Sequence, residues 1–226
     1  MGQARDGHAP SYTATVWQII FLAELGASTS DGRVQRGCGY LLSHMVAANG
    51  GFAMNPRPVP SSVVHCLNGD PLHALLRLGH PPDDRVQRAL DWQVQIIKVE
   101  GNLHFYRSGT SGRGFACAYD QSQPSAWGAT RALKALSAVP VQKRTPNALR
   151  AVEVGVDFLL SHDLAKADYP QTERVNSSWF AFSFPLNFCR DVLETMLVLT
   201  GLGYGADPRL ANARLFILSR RDERGR

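Results

Sequence analysis

Leu25-Gly26-Ala27-Ser28-Thr29-Ser30-Asp31-Gly32-Arg33-Val34-Gln35-Arg36 returns further along the chain as Leu78-Gly79-His80-Pro81-Pro82-Asp83-Asp84-Arg85-Val86-Gln87-Arg88. The layout comes back as Leu202-Gly203 followed by Asp207-Pro208-Arg209-Leu210, and more loosely from Leu133 through Leu136 to Thr145-Pro146. Self-similarity of this kind marks a repeat architecture. Each copy has one physical reading. An apolar helix ends at a glycine able to take the left-handed C-cap conformation. A short polar turn follows, and a new helix opens on an N-cap Asp or Thr, twice with proline at the first helical position. That unit is a helical hairpin.

The second helices share a further mark. Tyr40, Trp92 and Phe216 each stand eight residues after Gly32, Asp84 and Pro208, and a glycine follows beyond each helix at Gly50, Gly101 and Gly225. The third copy departs, with Val154 in place of the aromatic and Phe158 four residues later. The pattern predicts eight helices, at about 12–25, 32–48, 68–79, 84–99, 125–138, 146–162, 189–202 and 208–221. First members are more uniformly apolar, as in Val16–Leu25, Leu72–Leu78 and Val192–Leu202, whereas second members mix charge with apolar residues at helical spacing. Apolar-all-round helices go inside and amphipathic ones outside. The expected fold is all-α: one α/α-toroid domain, 1–226, with four hairpins (about 12–48, 68–99, 125–162 and 189–221) in two concentric layers. No run of strict alternation argues for a sheet.

Composition narrows the class. The 226 residues are 44% hydrophobic, enough for a sizeable core. The net charge of +5 comes from 24 basic and 19 acidic residues that are interspersed, which favours a solvated surface over a nucleic-acid partner. Cys38, Cys66, Cys117 and Cys189 are far apart, with no CxxC pair and no metal spacing, so reduced thiols in the cytoplasm are expected. Met1–Pro10 lacks the apolar centre of a signal peptide, and no stretch is long enough to span a bilayer.

Turns within hairpins are short, but the links between them (49–65, 100–124 and 163–188) are long. Long loops in compact domains tend to be functional, so the long-link end is the expected mouth of a site. Inner helices start there, and their positive dipole ends together with Arg107, Arg113 and Arg190 suit an anionic head group, while Asp70, Asp120 and Asp191 oppose it. Candidate catalytic residues are Cys66 (beside His65 at a helix start), Asp120 in the Gly-rich link, and Asp191. Candidate ligand-binding residues are His65, Arg107, Tyr119, Trp127, Trp179, Phe184 and Arg190. Each has a blander reading. Cys66 suits a small core residue, Asp191 a helix-dipole partner, and Trp127 and most link aromatics simple packing. No cofactor is indicated, and scattered histidines supply no metal set; Cys117 with Asp120 lacks a spaced third ligand.

The strings Thr15-Val16-Trp17-Gln18-Ile19-Ile20-Phe21-Leu22-Ala23-Glu24-Leu25-Gly26, Cys66-Leu67-Asn68-Gly69 with Leu75-Leu76-Arg77-Leu78-Gly79, and Trp179…Phe184-Pro185…Asp191-Val192-Leu193-Glu194 resemble the prenyltransferase/squalene-cyclase repeat superfamily over essentially the whole chain. Phe216-Ile217…Arg221…Gly225 is similar to the repeat of squalene-type cyclases, with Arg where those carry Gln. The resemblance implies an α/α toroid, here with fewer hairpins than close such rings, and so an incomplete arc with an apolar edge that pairs with a partner or with itself. It also implies an isoprenoid or other apolar small molecule in a central cavity. The family's DxDD acid box is missing, and its Asp, Cys and His zinc set has no assignable counterpart. Whether the chain is an enzyme therefore stays open. The alternatives are a noncatalytic helical scaffold for protein interaction and, last, a carbohydrate-active α/α barrel, for which paired carboxylates are short.

Overall fold

A computed structural model describes residues 12–98, 115, 124–167, 177–182, 184 and 191–225. Among them the chain is all α, with eight helices and no strand: α1 (Thr15–Glu24), α2 (Gly32–Met45), α3 (His65–Arg77), α4 (Asp84–Lys98), α5 (Ala126–Ser137), α6 (Pro146–Leu160), α7 (Val192–Gly201) and α8 (Ala211–Leu218). They form four consecutive hairpins, α1/α2, α3/α4, α5/α6 and α7/α8.

The repeated sequence has a repeated stereochemical cause. At the ends of α1, α3 and α7 the amides of Ala27, His80 and Tyr204 reach back five residues to the carbonyls of Leu22, Leu75 and Leu199. That loop requires a left-handed residue, which Gly26, Gly79 and Gly203 supply at φ 79°, 75° and 99°. On the other side of the turn, the carboxylates of Asp31, Asp83 and Asp207 accept the backbone N–H of Arg33, Arg85 and Arg209 at 2.8, 2.8 and 2.9 Å. Each arginine also folds its guanidinium back onto its own capping aspartate, at 2.6, 2.6 and 2.7 Å. The third hairpin uses Thr145, whose hydroxyl accepts from Ala148 N–H.

Boundaries shift where local chemistry decides. The third helix begins at His65, three residues before the sequence-based start, and continues through Pro71. The seventh begins at Val192 because Asp191 caps it. Pro208–Leu210 forms a 3₁₀ turn, and α8 proper starts at Ala211. The second helix stops at Met45, where the chain enters the first long link. That link is packed: isolated bridges join Val46 to Phe52 and Ala53 to Val63, and Phe52, Val63 and Val64 are buried. Asn68 holds it, accepting Phe52 N–H at 2.7 Å and donating to the Phe52 and Val64 carbonyls.

The first members pack in chain order, α1 on α3, α3 on α5 and α5 on α7, and each second member packs on its own first. The most extensive contact is between α3 and α5. There Gly69 lets the α3 backbone lie against the carbonyl of Arg131, where a Cβ would collide. Helix α5 is buried at every position from Gly128 to Leu136. The repeated aromatic is a packing device in three forms: Trp92 is buried beside Gly51, Tyr40 stacks on His44 at 4.0 Å, and Phe216 meets Phe180 and Phe182 edge-on. In the third copy Phe158 takes the role by stacking on Phe115, with ring centres 5.2 Å apart.

Candidate site around the buried helix α5

Burial of α5 on all sides poses an electrostatic problem, because it carries Arg131 and Lys134 inside the protein. An unpaired buried cation costs several kcal/mol even after relaxation, so each needs an anion brought to it by another helix. The Lys134 ammonium lies 2.5 Å from the Glu24 carboxylate, at the last residue of α1, and 2.8 Å from that of Glu194 on α7. Arg131 Nε lies 3.2 Å from Asp70 Oδ2 on α3, with both side chains essentially fully buried. Charges on α5 thus contact each of the other three first-member helices, α1, α3 and α7.

Beside this lies a neutral relay. Thr195 Oγ1 donates to the carbonyl of Asp191 at 3.0 Å, which leaves its lone pairs for the Thr130 hydroxyl, also at 3.0 Å. Asp191 itself is buried, and its carboxylate accepts the Glu194 amide at 2.8 Å. Its charge sits at the positive end of α7. On α3, Asn68 and Asp70 are buried as well. Every group named here is engaged with a neighbour, and this constellation is one of mutual neutralisation.

Of the residues proposed from sequence, the side chains of Asp191, Trp127, Trp179 and Phe184 are described. Asp191 is a helix cap. Trp179 is buried and donates its indole N–H to the carbonyl of Leu164 at 2.8 Å, while Trp127 packs against the core half-buried. Phe184 is exposed. His65 and Cys66 open α3, but their side chains lie outside the described residues, as do Asp120, Arg107, Tyr119 and Arg190. Asp70, expected at the long-link end, stands instead mid-helix on Arg131. Cys38 is a buried thiol whose pKa is pushed up to about 11 by that burial, which keeps it an inert packing group.

Glu24, Arg131, Lys134 and Glu194 were not singled out from sequence, although a signal existed. Counted back from the helix C-caps Leu25, Leu78, Ala138 and Leu202, the place of Lys134 is held in the other three copies by Phe21, Ala74 and Val198. A cation where three repeats carry apolar residues points to a buried partner rather than to a solvated face.

Fold and site together define an all-α protein of four helical hairpins with an ion-paired interior. Comparison with protein-family models, with curated proteins and with solved structures finds no match. No helix among the described residues is long and apolar enough to cross a membrane.

Proposed function

We propose that this chain is a noncatalytic helical-repeat scaffold, its hairpins curving as an arc of an α/α toroid whose centre is filled by charge pairs. The observation that carries this reading is the position of Lys134. Packed helices lie about 8–10 Å apart, so a straight row would hold α1 and α7 roughly 24–30 Å from each other. One ammonium nevertheless touches carboxylates from both, at 2.5 and 2.8 Å. This supports a row that bends towards its own centre, with Lys134 near the focus.

A pocket for an isoprenoid tail needs an apolar middle, because burying a hydrocarbon against ions forgoes the favourable transfer that would hold it. The inner faces of α3, α5 and α7 present Asp70, Arg131, Lys134 and Glu194 instead. The scaffold reading also accounts for the structural duties of Asp191, Trp127 and Trp179. Its test is titration of the protein with farnesyl diphosphate, geranylgeranyl diphosphate and squalene, read by calorimetry and native mass spectrometry. No saturable binding and no product are expected. Stoichiometric uptake of any of the three would replace the scaffold with the apolar-ligand reading.

A further inference from the structure

The sequence holds two Asn-Gly pairs, Asn49-Gly50 and Asn68-Gly69. With no side chain on the following residue, its backbone nitrogen can approach the asparagine amide carbon closely, which makes Asn-Gly the pair most prone to cyclise. The structure puts the two in opposite environments. Asn68 is buried inside α3, with its amide nitrogen donating to the Phe52 and Val64 carbonyls and its oxygen accepting Phe52 N–H. Gly69 is pressed against the Arg131 carbonyl. Cyclisation there would break three hydrogen bonds and the helix itself. Asn49 lies just beyond α2 and is half-buried, and Gly50 after it takes a left-handed φ of 92°. Its Nδ2 is buried and has no hydrogen-bond partner among the described residues. Its Oδ1 accepts Gly51 N–H at 3.2 Å. A donor is therefore already in place at the oxygen on which negative charge develops when the amide carbon is attacked. Only the bond from Gly50 N–H to the Ala47 carbonyl, 2.9 Å, has to open.

We infer that Asn49 is a site of self-modification in the folded protein. The Gly50 backbone nitrogen attacks Cγ of Asn49 and forms a new C–N bond. The proton of that nitrogen passes to Nδ2, the Cγ–Nδ2 bond breaks, and ammonia leaves. Water then opens the resulting five-membered succinimide at either carbonyl, adding its hydroxyl to carbon and its hydrogen to nitrogen. The product is an aspartyl or an isoaspartyl residue in place of Asn49. In sum an amide and water become a carboxylic acid and ammonia, and nothing is oxidised or reduced. Loss of Nδ2 removes a buried donor that has no acceptor, which favours the step. Either product lowers the net charge of +5 by one. The isoaspartyl product also lengthens the main chain by a methylene within the turn that the Val46–Phe52 bridge closes. Gly50 lies against the Arg88 carbonyl of α4, so the change is felt where the first hairpin meets the second. This inference goes beyond the scaffold reading and does not depend on it.

The test incubates the folded protein in mildly alkaline buffer made with heavy-oxygen water, well below its melting transition. Peptide mapping by mass spectrometry follows both asparagines, ammonia is assayed in parallel, and isoaspartate is measured by enzymatic methylation. Heavy oxygen should enter at position 49, matched by ammonia, about tenfold or more faster than at Asn68, whose three hydrogen bonds must first break. In denaturant, where both environments are lost, the two sites should convert at similar rates. Asn49→Gln, whose longer side chain does not form the five-membered ring, should retain the fold by circular dichroism and abolish the early ammonia and isoaspartate. Conversion at position 49 no faster than at Asn68 in the folded protein would overturn the proposal. So would early ammonia release that persists in the Asn49→Gln variant. Neither outcome depends on isoprenoid binding, so the two tests fail independently.

Discussion

A methyl group added at Gly69 would collide with the Arg131 carbonyl across the α3–α5 contact, and neither backbone can yield without separating the helices. Glycine to alanine inside a helix ordinarily gains about 0.5–1 kcal/mol. Overpacking reverses the sign here, and Gly69→Ala should lose about 1–3 kcal/mol in urea denaturation. Gly39 of α2, with nothing within 4 Å of its would-be Cβ, is the control and should show the ordinary gain. The capping aspartates make a separate statement about acid. Hydrogen bonds from the side chain and the amide of Arg33 lower the Asp31 carboxyl to about 2, and those of Arg209 do the same for Asp207. A depressed folded-state pKa means that the caps contribute fully above the unfolded value of roughly 3.9 and lose that contribution as pH falls through about 2. Carboxyl carbon shifts followed by NMR should therefore titrate late at both sites, and Arg209→Gln should move the Asp207 midpoint upward.

Among the elements, the first long link and α5 behave as one would want a rigid frame to behave. Asn68→Ala removes three hydrogen bonds that tie Phe52 and Val64 to α3, leaving buried backbone groups without partners. A loss of about 2–3 kcal/mol is expected, with faster hydrogen exchange at the Phe52 amide. Lys134→Met should cost about 3–5 kcal/mol, because Glu24 and Glu194 then face each other with no cation between them. Adding Glu24→Gln and Glu194→Gln to it should recover most of that loss. These elements also show where sequence was informative. The Gly C-caps and the Asp-x-Arg starts fixed the hairpins, because capping is local chemistry written in adjacent residues. The start of α3 was less legible, since Pro71 within the helix looks like a beginning. The interior pairs were hidden, because nothing local to Lys134 or Arg131 distinguishes a buried helical cation from a solvated one. Only its alignment with Phe21, Ala74 and Val198 does so. The mouth expected at the long links rested on loop length, on helix starts and on arginines in the links; the first link is packed and tied by Asn68, and most of the other two lies outside the described residues.

For the whole molecule, the lysine shared by α1 and α7 has a consequence for how the chain comes apart. Repeat arrays whose units touch only their neighbours unravel from either end, and their stability is a sum of local terms. Here, either end frays only by taking one of the two carboxylates away from Lys134, which ties both outermost hairpins to α5 and should make the four unfold more nearly together. With Lys134 replaced, the melt should broaden and split, as the outermost hairpins regain the freedom to leave first.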